Sequence, residues 1–373
     1  MVGERRNVPG EGSPDPMSQS LTLRETEDAW PELPWQVWAP TVSTLHMWLQ
    51  IVGKVRMALA PPRNHWWHIP FYVTSRGLTT SPIPYDRRSF QVDFDFLDHR
   101  LDVTDTDGRS FTMPLAPRSV ARFYREFMAG LNGLGIDVRI STKPVEVADG
   151  IPFDSDEEHA SYDPSHAHLL WRGFLQADRV MKEFQVGFVG KASPVHLFWG
   201  SFDLAATRYS GRTAPLHPGG VPNCPTWVME EAYAREESSI GWWPSSEPPG
   251  PAFYAYTYPE PEGFRAAAIR TDGTFFDERY GELMLPWDVV RQTLDPAVAV
   301  LEFFQEAYEI GADLAGWDRS MLEPVVRPDR PPTRPWSTDP TTGAAHAARS
   351  AGSPSNHRNI KKGGPASQKH QAR

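Results

Sequence analysis

Apolar residues recur every three to four positions at two places in the first third of the chain. Leu45, Trp48, Leu49, Val52, Val55 and Leu59 fall on one face at helical spacing, and so do Val120, Phe123, Tyr124, Phe127 and Leu131. Two more helices are marked by their starts. Asp163-Pro164 and Asp295-Pro296 each place an N-cap side chain before a proline at the first helical position, which predicts helices over about 165–185 and 296–315. Between the helices the period drops to two. The stretch "FQVDFDFLDHRLDVTDTDG" alternates apolar and polar residues and ends in Asp107-Gly108, a hairpin signal, and similar strands are expected at 195–207, 252–258, 265–271 and 274–285. Helices and strands do not alternate one for one, so the pattern predicts an α+β fold with antiparallel sheets.

The order of elements repeats. From Trp48, a helical pattern, a loop and the aromatic stretch "RNHWWHIPFYVTSRG" follow one another, and from Trp171 the same order leads to "SPVHLFWGSFDLAATRYSG". Placing His65 on His196 puts Trp67 on Phe198 and Phe71 on Phe202. Residues 107–136 and 272–311 then each read as turn, strand and helix. This suggests an internal duplication giving two similar halves, 30–160 and 161–324, each built as helix, antiparallel sheet and helix. Residues 1–29 and 325–373 are rich in Pro, Gly, Ser, Thr and charge without apolar periodicity and are expected to be disordered.

Composition narrows the partners. The formal charge is −10, but residues 325–373 hold nine Lys or Arg against two Asp or Glu, a local +7, which leaves −17 on residues 1–324. An acidic body without a basic stripe argues against duplex nucleic acid, whose phosphates supply most of the affinity in such complexes. The basic tail reads as a solvated segment. A single cysteine, Cys224, excludes an internal disulfide and fits a reducing compartment. With no long apolar run, the sequence predicts a soluble, cytoplasmic protein that does not enter a membrane. It assigns no cofactor and no oligomeric state.

The candidate chemistry lies in five stretches. On a strand, His65 and His68 would point to opposite faces, so they do not form a two-histidine metal grip, and each is either a site residue or a hydrogen-bonded core histidine. In the second copy a single strand would put His196 on one face and Trp199, Ser201 and Asp203 on the other, with Arg208 and Arg212 following. Asp203 would then be a ligand-binding carboxylate or half of an ion pair with an arginine. Asp93 and Asp95 share a strand face and read as a solvated face rather than a metal clamp. The cluster "DSDEEHASYDPSHAH" (154–168) is rich in possible ligands but matches no metal motif and fits an acidic helix entrance. Finally, "EEAYAREESSIGWWP" joins Glu237 to the pair Trp242-Trp243, as aromatic pockets and aromatic cores both do. No phosphate loop, dinucleotide fingerprint, nucleophile elbow or zinc motif is present, and Cys224 sits in a Pro/Gly loop that does not activate it.

These stretches, with "GKVRMALAPPRNHWWHIPFYVTSRGLTTSPIP", "KASPVHLFWGSFDLAATRYSGR" and "GWDRSMLEP", resemble a bacterial family known as a domain of unknown function, number 5996, over about residues 33–323. The resemblance implies a shared fold and a shared site, not a reaction. The sequence therefore supports a small molecule bound in an aromatic, histidine-lined cleft between the halves. His65, His196, Asp203 and Glu237 are its polar or catalytic candidates. Trp66, Trp67, His68, Trp199, Arg208, Arg212 and Trp242 are its binding candidates, and no metal ligands are assigned. The alternative is a hydrolase with a histidine general base, with or without a metal.

Overall fold

A computed structural model describes residues 29–324 apart from Ser246, so the expectations for residues 1–28 and 325–373 lie outside the described residues. Among the described residues, seven helices and two antiparallel sheets make an α+β fold. Helix α1 (Trp35–Leu59) is buried along most of its length, including Leu45, Trp48, Leu49, Val52 and Val55 from the apolar face read in the sequence. A strand set follows, β1 (Tyr72–Val73), β2 (Gly77–Thr79), β3 (Ile83–Tyr85), β4 (Arg88–Asp95), β5 (Arg100–Asp105) and β6 (Ser110–Pro114), in the order β1-β2-β4-β5-β6 with β3 also on β4. Asp107-Gly108 turns β5 into β6, with Gly108 at φ 80°. Helix α2 (Val120–Gly133) begins at Ser119, whose hydroxyl accepts the Arg122 N–H.

Helix α3 (Pro164–Gln185) starts where its cap predicts, with the Asp163 carboxylate accepting the Ser165 and His166 N–H groups. The second sheet comprises β7 (His196–Phe198), β8 (Asp203–Thr213), β9 (Arg235–Trp243), β10 (Ala252–Tyr258), β11 (Phe275–Asp277) and β12 (Glu282–Pro286), ordered β11-β12-β10-β9-β8-β7. Short helices α4 (Thr226–Ala232) and α5 (Trp287–Val290) flank it, and α6 (Pro296–Leu314) and α7 (Arg319–Leu322) close the described chain. One face of this sheet packs on α3 and α6. The sheets are joined where Phe71 and Leu197 exchange two backbone hydrogen bonds of 2.9 and 2.8 Å between β1 and β7. No helix among the described residues is long and apolar enough to cross a membrane.

Four strand expectations are corrected, the first being 274–285, which is two antiparallel strands, β11 and β12, joined by a turn. Residues 64–66 form a 3₁₀ turn in which His65 and Trp66 take left-handed φ of 56° and 59°, so the aromatic stretch crosses the molecule as a turn and the alternation of faces read from it does not hold. Residues 195–207 are a hairpin, because the chain reverses at 199–202, with Phe202 at φ 63°. Residues 265–271 are not a strand. They begin with a 3₁₀ turn that buries Phe264.

Gly53 lies inside α1, where alanine would ordinarily gain about 1 kcal/mol in helix propensity. Here a Cβ would sit 2.4 Å from the Trp199 indole. Gly53→Ala is therefore expected to lower stability by about 1–3 kcal/mol, the usual range for an overpacked core. The urea midpoint measures this, and a rise in that midpoint would show that Trp199 gives way without cost.

Candidate functional site

The second sheet sorts its side chains by the two-residue period of a strand. Leu204, Ala206, Arg208, Ile240, Trp242 and Phe253 share one face, in register across β8, β9 and β10. The other face carries Asp203, Ala205, Thr207 and Tyr209 from β8, Glu237 and Ser239 from β9, and Tyr254 and Tyr256 from β10. That second face is the floor of a cavity of about 750 Å³. Its walls come from residues 62–69, from Val145 and Glu146, from the 199–201 turn, and from α4 with the loop before it.

Each wall has an identifiable anchor. His65 Nδ1 meets the Ala232 carbonyl at 2.7 Å and Nε2 accepts from Lys191 Nζ at 2.7 Å, while Trp66 Nε1 donates to the Val228 carbonyl at 3.1 Å. The Gln50 side chain from α1 bonds the Val145 backbone in both directions, each at 2.8 Å. One turn earlier, His46 Nε2 lies 2.9 and 3.0 Å from the carbonyls of Trp199 and Gly200 and its ring stacks on Phe202. Glu146, at φ 62°, then lies so close to Gly200 that a Cβ there would be 2.1 Å from its Oε1, so any larger residue at 200 would displace the Glu146 carboxyl.

The cavity is acidic, and burial raises three of its carboxyl groups. Burial, with the Asp203 charge beside it, pushes Glu146 up to about 7, and burial raises Glu237 to about 8. Asp203 is raised by burial as well, although it accepts hydrogen bonds from Ser201 and Tyr254. Just past the floor, Glu282 on β12 is pushed to about 8. Around Glu237 the phenols form a chain. Tyr233 and Tyr256 hydroxyls are 3.1 Å apart, and Tyr256 donates to Glu237 Oε1 at 3.4 Å. Glu237 Oε2 is buried with no hydrogen-bond partner among the described residues. Desolvation lowers His196 to about 3 and lowers His65 too, so both rings are neutral.

The candidates from the sequence divide cleanly. His65, His196, Asp203 and Glu237 all line the cavity, as do Trp66, Trp67, His68 and Trp199. Trp67 lies between the two histidines, 5.4 Å from His65 and 6.5 Å from His196 by ring centroid. The hairpin changes the expected faces, since Phe198 pairs with Asp203 and His196 with Ala205, so His196 and Asp203 share a face. Three binding candidates are corrected. Arg208, five residues after Asp203, points to the helix side, where its guanidinium lies 3.4 Å from the Phe184 ring centre, and it is not the partner of Asp203. Arg212, beyond a bulge, pairs with Glu236 and the carbonyls ending α6. Trp242 packs edge-on against Phe174 in the core.

The remaining polar clusters are structural. Asp95 holds Arg76 and the backbone of its own turn, and Asp93 accepts from Gln91. Asp156 is fully buried, accepting the Glu158 and His159 N–H groups and facing the His159 ring, while Asp163 caps α3. Among the described residues no three His, Cys, Asp or Glu side chains are grouped to hold a metal ion. Cys224 lines the cavity, with its thiol pushed up to about 11 by burial. Residues not anticipated are Glu146, Tyr209, Tyr233, Tyr254 and Tyr256. The alternation in "FYAYTY" was a readable signal for the last two, whereas Glu146 arrives from an irregular loop.

The model of a family described as a family of unknown function (DUF5996) matches residues 30–324. No curated protein and no solved structure matches the chain.

A carboxyl that stays protonated only in the folded state binds more protons there than in the unfolded chain, so stability falls as pH rises through the window between the two values. For Glu237 this window runs from the ordinary 4.5 to about 8. The wild-type melting temperature is expected to drop from pH 5 to pH 9, and Glu237→Gln to flatten that drop by up to about 1.4 kcal/mol per pH unit. Parallel pH profiles for the two proteins would show Glu237 to be ionised in the folded state.

Proposed function

Since the chain belongs to the DUF5996 family, whose description names no activity, the cavity has to supply the reading, and we propose that this protein binds a small molecule there. One observation carries it. Glu237, only 4% exposed, lines an aromatic cavity of about 750 Å³ and keeps one buried carboxyl oxygen without a partner. An orphaned buried carboxyl is costly for a protein to keep, and a ligand that satisfies it accounts for the cost. The volume falls inside the range of roughly 300–1,000 Å³ usual for ligand sites, and the combination of aromatic walls with a few polar groups is the usual lining. In this reading Trp66, Trp67, His68 and Trp199 are walls, and His65, His196, Asp203 and Glu237 are anchors. Arg208, Arg212 and Trp242 hold the frame. The lone cysteine, which can form no internal disulfide, supports a reducing, cytoplasmic setting in this reading.

The hydrolase alternative needs a histidine within reach of a carboxylate. Among the described residues His65 bonds a carbonyl and a lysine, and His196 Nδ1 has no partner. Binding is therefore the better supported reading.

Ala205 lies on the cavity floor without a side-chain hydrogen bond to lose. A set of small aromatic compounds titrated against intrinsic tryptophan fluorescence should give saturable one-to-one changes. Ala205→Trp, which fills the floor, should weaken them about tenfold or more with circular dichroism unchanged. Equal responses in both proteins, or no saturable response in the wild type, would sink the reading.

A further inference from the structure

We propose that the ligand is an organic cation, a protonated amine on an aromatic or aliphatic body, held by Glu237 within a ring of tyrosine and tryptophan faces; this rests on the small-molecule reading above. The charge of the lining points that way. Glu146, Asp203, Glu231 and Glu237 face the cavity, and no Lys or Arg is among the lining residues. The imidazoles there are neutral for lack of solvation. An anion would meet four acidic groups with Lys191 at the edge as the cation facing Glu237, and a neutral ligand would leave Glu237 protonated. Only a cation draws Glu237 into its charged form and at the same time supplies the partner that Oε2 lacks.

The aromatic surroundings suit the same chemistry. The negative face of an aromatic ring attracts a cation within about 6 Å of its centre. At the cavity edge the chain already uses two such faces for its own ammonium group: Lys191 Nζ lies 5.2 Å over Trp67 and 4.7 Å over Tyr209. Lys191 is also bonded to His65, so it remains at the edge. Deeper in, Tyr233 and Tyr256 offer further rings beside Glu237, with centroids 6.3 Å apart.

Binding of a cation would release the Glu237 proton. The groups facing Glu237 are Tyr209 on β8, Tyr256 and Tyr258 on β10, Tyr233 after α4, and Lys191 before β7. Burial holds the four phenols above their ordinary range, so none of them titrates near neutrality. Lys191 is lowered by burial and raised by Glu237 itself. Affinity for an amine should therefore rise with pH up to about 8 and then level off.

Three probes of one shape test this on the full chain: 4-phenylbutylamine, 4-phenylbutan-1-ol and 4-phenylbutyrate, titrated calorimetrically at about pH 6 and pH 8. The amine is expected to bind roughly 10- to 100-fold tighter than the alcohol at pH 8, the range expected for one charged hydrogen bond, and the carboxylate weakest. From pH 8 to pH 6 the amine should weaken by up to about tenfold per unit while the alcohol stays flat. Glu237→Gln, which copies the shape of the protonated side chain, should bring the amine down to the alcohol. If that variant does not fold, the wild-type pH profile carries the same test. Alcohol or carboxylate binding as tightly as the amine, or a flat amine profile, would overturn the cation and leave the cavity reading standing. No binding by any of the three to folded protein would overturn both.

Discussion

A carboxyl group taken out of water without a counter-charge either costs several kcal/mol or keeps its proton, and this constraint organises the concave face of the second sheet. Glu146, Asp203 and Glu237 are brought together there from a loop and two strands, and no arginine or lysine lines the cavity with them. Neutral donors are supplied instead. Tyr254 and Ser201 bond Asp203, and Tyr256 reaches Glu237. A phenol can donate to a carboxylate and also present a ring to whatever occupies the cavity, which a guanidinium cannot do without cancelling the charge. Arg208 on β8 is sent by strand parity to the opposite face, where it is buried among Phe184, Phe188 and Tyr308 and lowered to about 10.

The acidic end of the cavity is positioned from the other side of the molecule by α1. His46, Gln50 and Gly53 follow each other at helical spacing on one face. His46 holds the carbonyls of the 199–200 turn, Gln50 pairs with the Val145 backbone as a neighbouring strand would, and Gly53 leaves room for the Trp199 indole. Burial drives His46 down to about 4, which keeps it neutral beside the acids it positions. A polar stripe inside an otherwise apolar helix is expensive unless each group is bonded, and here each polar group bonds a wall of the cavity.

Much of this was legible in the residues. The two Asp-Pro starts located α3 and α6 because a cap and a fixed proline φ are local chemistry. The polar candidates His65, His196, Asp203 and Glu237 reach one cavity, since aromatic stretches interrupted by titratable groups are where such cavities form. What stayed hidden depends on backbone reversal. The run from His196 to Thr207 reads as one strand, and only the left-handed Phe202 turns it into a hairpin. A non-glycine residue at positive φ leaves no mark in composition, and an error of one residue in register moves every later side chain to the other face. That is why His196 and Asp203, expected on opposite faces, share one. Glu146 was missed for a different reason, because its position is set by Gln50, far away in sequence.

The same logic explains why the stretch "RNHWWHIP" is a wall and not a strand. Phe71 is tied to Leu197, so the residues before it must cross the cavity within a short span to reach the end of α1. They do so with His65 and Trp66 both left-handed, a conformation costing of order 1–3 kcal/mol per residue. Both strained residues are held from across the cavity by the carbonyls of α4, Ala232 for His65 and Val228 for Trp66, and Trp66 also packs 5.4 Å from Trp227. The strain and its compensation thus sit on opposite walls of one space. Neither wall has a reason to keep its conformation without the other, so the shape of the cavity is a property that α4 and the tryptophan turn hold jointly.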